Sequence, residues 1–215
     1  MLPLLWLCAD LDALPLDELL DRVTRVLRAR PAAVWLRSGI DTPARRTFDA
    51  ATRLAAIARE RGGQLWVGDR ADVAIAVRAH GLHVGSRGIG PRAARSLLQG
   101  RTDSSGSPAR LSVAVHDGAG VRQAADVADV MVLSPLGAVP GKGQPLGPAG
   151  FADARARAPS AFVVALGGIV TEGDARLAAR AGASAIAVRR ALIASRDPAA
   201  DCASLVDAFT AALGT

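Results

Sequence analysis

Short apolar segments alternate with longer stretches of helical periodicity along almost the whole chain, and this alternation constrains the fold more than any other feature. The apolar runs are Leu4–Cys8, Ala33–Leu36, Gln64–Val67, Gly81–Val84, Leu111–Val115, Val130–Leu133, Ala161–Ala165 and Ser184–Ala187. The clearest helical stretches are Leu16–Leu27, Ala44–Arg59, Ala71–Arg78, Pro91–Leu98, Gly173–Arg180 and Ala199–Leu213. Continuous apolar strands separated by helices indicate a parallel sheet that is buried on both faces. Eight such units, in steps of about 25 residues, predict an α/β fold, a single-domain (β/α)8 TIM barrel over residues 1–215.

A doubly wound open sheet is the alternative fold for this alternation. That fold usually carries a glycine-rich turn after its first strand, where it binds a dinucleotide. Here the first strand is followed by Ala9-Asp10-Leu11-Asp12, which contains no glycine. The closed barrel is therefore the prediction.

The formal net charge of +6 raises the question of a nucleic-acid partner. Lys142 is the only lysine among the 26 basic residues. The arginines are spread over the predicted helices and form no run of about five, which a basic nucleic-acid-binding stripe would require. Aromatic residues make up only 3% of the chain, too few for a base-stacking surface. We therefore predict no nucleic-acid partner.

The two cysteines, Cys8 and Cys202, are far apart and form neither a C-x-x-C motif nor a disulfide framework. This usage is typical of a protein in a reducing compartment. The opening apolar segment runs for only about eight residues and lacks a basic leader, and no later segment is long enough to span a membrane. We predict a cytoplasmic protein with no membrane partner.

Polar residues and glycines recur at the C-terminal ends of the predicted strands, which is where enzymes built on this barrel bind their substrates. These strand-end residues are Asp10, Asp12, Arg37, Asp69, Arg70, His83, His116, Ser134, Gly167, Gly168, Val188 and Arg189. Their regular recurrence predicts one functional rim around the mouth of the barrel.

The strongest local signal on this rim is Gly167-Gly168 after strand seven, followed by Val188 at the end of strand eight. Glycines let backbone N–H groups approach an anion closely, and the loops after strands seven and eight hold phosphate in many barrels. We predict a phosphate site here. The alternative interpretation is that the two glycines only form a tight turn from strand to helix.

The segment after strand six runs from Ser134 to Gly147 and is rich in glycine and proline around Lys142. Long loops on the functional face often act as lids or ligand clamps. Lys142 offers a positive charge to a phosphate or carboxylate, and the alternative is an ordinary solvated lysine.

Two of the three histidines lie where chemistry is expected. His116 directly follows strand five at the mouth, where an imidazole can transfer protons near neutral pH. His83 lies inside strand four, where it either points into the barrel or is a hydrogen-bonded core residue. No further His or Cys stands at metal-ligand spacing, so we predict no zinc site.

At these residues the sequence resembles the thiamine phosphate synthase and thiazole tautomerase superfamily. The matching stretches are 67–74, 81–85, 113–116, the loop that begins Ser134-Pro135, and 165–169, in the order and spacing of that superfamily. The resemblance runs from Trp35 to Val188 and implies the same barrel fold.

The resemblance implies one of two reactions. Synthases join hydroxymethylpyrimidine pyrophosphate to a thiazole phosphate with magnesium, and hold the pyrophosphate with a Q-x-R-x-K pattern. The corresponding residues here are Trp35, Arg37 and Gly39, so only the arginine is retained. The synthase Asn-Asp pair corresponds to Gly68-Asp69, the second acid to Gly88, and a serine before the histidine to Ala114. Since a magnesium–pyrophosphate group needs paired oxygen ligands and nearby cations, the sequence favours the other branch.

The tautomerase branch isomerises a carboxylated thiazole phosphate to its aromatic form, without metal. As the resemblance implies, Gly167, Gly168 and Val188 would hold the phosphate through backbone N–H groups. Arg37 or Lys142 would face the carboxylate, and His116 would transfer the proton. We therefore predict an isomerase without a cofactor.

Two alternatives stay open beside the tautomerase. One is the synthase, with magnesium and with Asp69 as a metal ligand. The other is a non-catalytic relative that keeps the pocket to bind a phosphate ligand.

In all three cases the expected partner is a small thiazole phosphate-type ligand, and a homodimer is the assembly that we keep open. The catalytic residue is predicted to be His116. The predicted substrate- and phosphate-binding residues are Arg37, Asp69, His83, Ser134, Lys142, Gly167, Gly168, Val188 and Arg189.

Overall fold

Eight strands pair in parallel, in chain order, and close into a barrel in the computed structural model, which describes residues 1–86 and 88–213. The strands are β1 (Leu5–Asp10), β2 (Ala33–Arg37), β3 (Gln64–Gly68), β4 (Gly81–Val84), β5 (Arg110–Val115), β6 (Val130–Leu133), β7 (Val163–Leu166) and β8 (Ala185–Val188). Between them lie α1 (Leu16–Ala29), α2 (Ala44–Glu60), α3 (Ala71–Ala76), α4 (Pro91–Leu98), α5 (Gly118–Ala124), α6 (Gly147–Arg155) and α7 (Glu172–Arg180), and after β8 follow α8 (Arg190–Ile193) and α9 (Pro198–Ala211). The predicted (β/α)8 barrel is confirmed.

Several strands extend further toward the mouth than the apolar pattern predicts. Strand β1 ends at Asp10 and β2 at Arg37, and these two residues pair in register. The prediction stopped earlier because it treated polar residues as loop, whereas charged side chains at a barrel rim can stay solvated while their backbone still pairs. The strand ladder therefore carries the rim residues on rigid backbone rather than on loops.

Two helices that lacked an apolar period in the sequence are present. Helix α5 begins at Gly118 and α6 at Gly147, and both contain further glycine or short alanine stretches. Alanine and glycine give a weak hydrophobic contrast between the faces of a helix, so periodicity alone does not detect it. Their burial comes instead from packing Val121 and Phe151 onto the barrel.

The strands separate two apolar layers. In β1, Leu5, Leu7 and Ala9 face the helices and belong to the larger core cluster between barrel and helices. Trp6 and Cys8 alternate with them and belong to a second cluster inside the barrel. Full burial of one large aliphatic side chain contributes about 1.5–3 kcal/mol, so the outer layer supplies most of the apolar stabilisation.

Indole rings fill the interior of the barrel. Trp6 and Trp66 are fully buried with ring centroids 4.6 Å apart, and Trp35 packs on His83 at 4.0 Å. Nearly half of the few aromatic residues of this chain therefore lie inside the barrel. The residues above these rings form the floor and rim of the mouth.

His83 is a hydrogen-bonded residue of this interior. It is 2% exposed, and its Nδ1 lies 3.0 Å from the hydroxyl oxygen of Ser112 on the neighbouring strand. Burial lowers the pKa of His83 to about 3, so its imidazole is neutral in the folded protein at ordinary pH.

No helix among residues 1–86 and 88–213 combines the length and the apolarity that crossing a membrane takes.

We predict that Gly81→Ala destabilises the fold by about 1–3 kcal/mol, because it overpacks the barrel interior. A Cβ at Gly81 would lie 2.3 Å from two ring carbons of Trp66 and 2.8 Å from the carbonyl oxygen of Arg110. Gly90→Ala is the matched control, because nothing lies within 4 Å of the Cβ it adds. Urea unfolding checks both, and equal free energies of unfolding for the two variants would contradict this packing.

We also predict that acid weakens the fold through His83. The unfolded chain has a His pKa of about 6.5 and the folded chain one of about 3, so between these values only the unfolded chain binds the proton. The free energy of unfolding therefore falls as the pH drops below about 6.5, with a slope approaching about 1.4 kcal/mol per pH unit from this residue. Urea unfolding of the wild type and His83→Gln at about pH 7 and about pH 5 should give the shallower dependence in the variant; parallel dependences would argue against a neutral buried His83.

Candidate functional site

The C-terminal ends of the strands bring polar groups from distant parts of the sequence to one rim. Asp10, Arg37, His116, Ser134 and Arg189 all occupy the strand ends of β1, β2, β5, β6 and β8 or the position directly after them. Successive side chains of a strand point to opposite faces. Each of these residues lies an even number of positions from a residue of the same strand whose side chain points into the barrel, so its own side chain points inward at the mouth. The structure therefore places these predicted residues, together with Asp10, around one opening.

Asp10 is the centre of an ion-pair cluster on this rim. Its Oδ2 accepts a hydrogen bond from Arg189 Nη1 at 2.9 Å and from Arg37 Nη1 at 3.3 Å. The Asp10 side chain is 13% exposed, whereas the side chains of Arg37 and Arg189 are 42% and 37% exposed. Partly exposed ion pairs of this kind contribute little to stability, about 0–1 kcal/mol each. Their significance is that two guanidinium groups converge on one point of the rim with one carboxylate between them.

Cys8 lies one inward position below Asp10. Burial raises the pKa of its thiol to about 12, while the nearby Arg37 acts more weakly in the opposite direction. The thiol therefore stays protonated at neutral pH, and a protonated thiol is neither a nucleophile nor a metal ligand. We assign Cys8 to the packing of the floor.

A second feature of the rim is a cup of backbone N–H groups between β7 and β8. Gly167 and Gly168 have φ values of 101° and 73°, which favour glycine. Within residues 1–86 and 88–213, the N–H groups of Gly168, Ile169 and Arg189 have no protein acceptor outside the strand ladders. Unpaired amides that cluster at a strand end are suited to binding an anion. Val188 is buried and adds only its backbone to this region.

The loop after β6 is fixed onto this glycine turn. The N–H of Gly137 donates to the carbonyl of Gly167 at 2.9 Å. A Cβ at Gly168 would lie 2.6 Å from the Cα of Gly137, and one at Gly167 would lie 2.9 Å from the Cβ of Pro135. Both glycines are therefore required by close packing as well as by their φ values, and the tight turn that they form is compatible with an anion cup.

His116 is exposed at the mouth and is oriented by the backbone of the next strand. Its Nδ1 lies 2.7 Å from the carbonyl oxygen of Ser134. A carbonyl can only accept, so Nδ1 carries the proton in the neutral ring and Nε2, on the other side of the ring, is left as an acceptor. The hydroxyl of Ser134 is 3.4 Å from Nδ1, which makes the Ser134 carbonyl the main orienting group.

The remaining predicted residues lie in different surroundings. His83 is buried beneath the rim, and Lys142 is exposed on the loop after β6. Asp69 has a φ of 56°, and its Oδ1 accepts the N–H of Gly85 at 2.8 Å. No role of these residues is tested by the geometry alone, and their assignments stay predictions.

The magnesium ligands that the resemblance implies for a synthase do not fit this arrangement. The second acid would stand at Gly88, where an added Cβ would lie 2.3 Å from Asp69 Oδ1. An acidic side chain at position 88 would therefore require the Asp69 carboxylate to move, and Gly88 itself supplies no carboxylate. Within the described ranges 1–86 and 88–213, no three or more His, Cys, Asp or Glu side chains form a group that could hold a metal ion.

Sequence reasoning noticed Asp10 at a strand end but gave it no role. The signal available was its position, since it ends β1 beside two predicted cations in the closed barrel. Two hollows of the described chain lie elsewhere, one of about 230 Å³ beside α3 and α4 and one of about 390 Å³ between α6 and α7. The first lies at the N-terminal ends of the strands, where this fold rarely places chemistry, so we retain the rim as the candidate site.

Comparison with known proteins identifies relatives over most of the chain. The family described as thiamine monophosphate synthase matches residues 5–192. The thiamine-phosphate synthase of Anaeromyxobacter dehalogenans is 36% identical over 178 residues, which cover 80% of this chain and 74% of that protein. The corresponding protein of Roseiflexus castenholzii is 35% identical over 195 residues, which cover 88% of this chain and 81% of that protein.

Among solved structures, the thiamine phosphate pyrophosphorylase from Pyrococcus furiosus superposes with a TM-score of 0.83. It covers 98% of this chain and 96% of its own, at 22% sequence identity. At that identity the likeness supports the barrel fold alone.

These relatives correct one prediction from the sequence. The predicted isomerase activity is wrong, because the relatives at 34–36% identity are named as synthases, which are transferases. The prediction failed because it read the missing metal and pyrophosphate residues as loss of the transfer reaction. It did not consider that other cations of the rim can face the same anion.

We predict that Gly168→Ala weakens the binding of inorganic phosphate by at least about tenfold. The added Cβ meets the backbone of Gly137, and alanine is strained at a φ of 73°, so the turn must shift and the amides no longer converge. Gly173→Ala is the control, because its Cβ meets only the hydroxyl of Thr171 at 3.5 Å. Isothermal titration calorimetry measures the affinity, and equal affinities of both variants would remove the cup from the site.

Proposed function

The chain belongs to the thiamine monophosphate synthase family, and on this premise we propose that it is a transferase that joins hydroxymethylpyrimidine pyrophosphate to a thiazole phosphate. Curated relatives named for this synthase support the reaction class. The substrates are taken from the resemblance of the sequence to that superfamily.

The observation that carries this proposal is that two different groups suited to anions, a turn with free amides and a pair of arginines, lie on one rim. The cup of amides at Gly167 and Gly168 suits a phosphate, and the pair Arg37 and Arg189 suits a larger and more highly charged group. An enzyme that acts on one monophosphate needs only the first of these elements. A transferase whose two substrates both carry phosphate groups needs both.

The bond exchange follows from this arrangement. The C–O bond between the pyrimidine methylene and the pyrophosphate breaks, and its electron pair goes to the departing oxygen. The ring nitrogen of the thiazole forms the new C–N bond with its lone pair, which makes the ring cationic. Negative charge therefore grows on the pyrophosphate, where preorganised cations stabilise it most. Arg37 and Arg189 are assigned to this charge, and no step is routed through a metal ion.

The other rim residues are assigned to binding and orientation. Gly167, Gly168 and Val188 hold the thiazole phosphate through their backbone, and Lys142 adds a positive charge from the loop after β6. Ser134 fixes His116 as the Nδ1–H tautomer. The lone pair on Nε2 then faces the positive charge that develops on the methylene carbon as the C–O bond breaks. Asp69 and His83 support the rim and the floor beneath it.

A non-catalytic phosphate-binding protein is the second candidate. The observation that favours it is the engagement of Asp69 by Gly85, next to Gly88, where a metal-dependent enzyme would need a second acid. Such a protein would bind both anions and form no product.

The test is formation of thiamine phosphate from the two substrates, followed by chromatography in separate series with and without magnesium. We expect product formation by the wild type. His116→Ala and His116→Asn should each lower kcat by about 10²-fold, since one preorganised electrostatic contact is lost. His116→Asn keeps a donor toward the Ser134 carbonyl, so it separates loss of Nε2 from loss of orientation.

Unchanged turnover in both His116 variants would remove that residue from the reaction. Failure of the wild type to form product in either series, while a thiazole phosphate still raises its melting temperature, would reject the transferase in favour of the binding protein.

A further inference from the structure

The positions that the resemblance assigns to magnesium ligands supply one carboxylate in this chain, that of Asp69. Asp69 Oδ1 accepts the N–H of Gly85 at 2.8 Å, and position 88, where the resemblance implies a second acid, is a glycine. A divalent ion that bridges a pyrophosphate usually relies on one or two carboxylates with free oxygen atoms. With one carboxylate in place of a pair, and with one of its oxygen atoms already hydrogen-bonded, we look to other groups of the rim for the charge that meets a bound pyrophosphate.

Arg37 and Arg189 are placed to meet it. Because their Nη1 atoms contact the same Oδ2 of Asp10, at 3.3 Å and 2.9 Å, the two guanidinium groups lie within about 6 Å of each other, a separation at which like charges repel. One carboxylate offsets only one of the two positive charges. The cluster therefore keeps a net positive charge at the mouth of the barrel.

The accessibility of the three side chains differs in the way an anion site requires. The carboxylate of Asp10 is largely covered, whereas about two-fifths of each arginine side chain faces solvent. A guanidinium group has five N–H donors in a planar fork, so each arginine keeps donors for a phosphate after it has contacted Asp10. Asp10 is thus a positioning residue that holds two cations in place before an anion arrives.

We propose that Arg37 and Arg189, held by Asp10, form a pyrophosphate site that works without magnesium. Two fixed guanidinium groups take the place of the divalent ion in neutralising the oxygen atoms of the pyrophosphate. The inference rests on the proposed function only in taking this group to be that of the pyrimidine substrate.

The test measures the binding of inorganic pyrophosphate to the full chain by isothermal titration calorimetry, once in excess EDTA and once with magnesium added. We expect the wild type to bind in EDTA with a Kd within about threefold of the value with magnesium. Arg37→Met and Arg189→Met should each weaken binding in EDTA by about 10- to 100-fold, the range for losing a hydrogen bond to a charged group.

Arg190→Met is the matched control. Arg190 is the next residue in the chain, is exposed, and its loss changes the net charge by the same amount at the same end of the barrel. We expect its affinity to stay within about twofold of the wild type, since screened surface charge acts weakly. Melting temperatures of all variants establish that each is folded.

Three results would overturn the proposal. The first is binding that occurs only after magnesium is added. The second is wild-type affinity in Arg37→Met and Arg189→Met, and the third is an equal loss of affinity in Arg190→Met.

Formation of thiamine phosphate tests the proposed function, and it is measured separately from the binding of pyrophosphate. Binding in EDTA through the arginine pair without product formation would reject the transferase and keep the pyrophosphate site. Product formation together with magnesium-dependent binding would keep the transferase and reject the site.

Discussion

Closure of the eight strands is the constraint on which the rest of the structure depends. In a closed barrel every second residue of each strand must point inward, so the chain has to fill a narrow volume from the bottom upward. Here Trp6, Trp35 and Trp66 fill the lower part, and small residues such as Gly81 make room for them. The inward positions above the rings therefore do not have to be filled by apolar side chains. Charged residues can occupy them because they reach solvent at the mouth.

The ion-pair cluster occupies these inward positions at the mouth. A single carboxylate at the end of β1 would be poorly solvated beside a packed floor, and the two arginines at the ends of β2 and β8 satisfy it from both sides. The arginines in turn tolerate their mutual repulsion because Asp10 lies between them. The cluster contributes little to folding, since its arginines are partly exposed and solvent screens the ion pairs. Its arrangement is instead the one that an anionic ligand needs.

The fold and the position of the rim could be predicted from the sequence, because both depend on local periodicity and on where each apolar run ends. The role of Asp10 could not, since its partner Arg189 lies 179 residues away and only closure of the ring brings them together. The hydrogen bond that Asp69 accepts from Gly85 could not be predicted either. It depends on a φ of 56° at Asp69 and on the position of the N–H of Gly85, and neither is visible in the pattern of residue types. The assignment of an isomerase failed for a related reason, because a list of missing metal ligands does not show which other groups the fold brings to the rim.

Arg189 connects the two anion-binding elements of the rim. Its backbone N–H is one of the amides left without a protein acceptor beside Gly168, and its guanidinium group is one of the two cations on Asp10. A phosphate in the cup and a pyrophosphate at the arginine pair would therefore be held by the same residue. Two substrates fixed so close together react as a single unit, which removes much of the entropic cost of bringing them into contact. In the proposed function, the end of the short β8 strand would thus determine both which groups are bound and how near to each other their reacting atoms come.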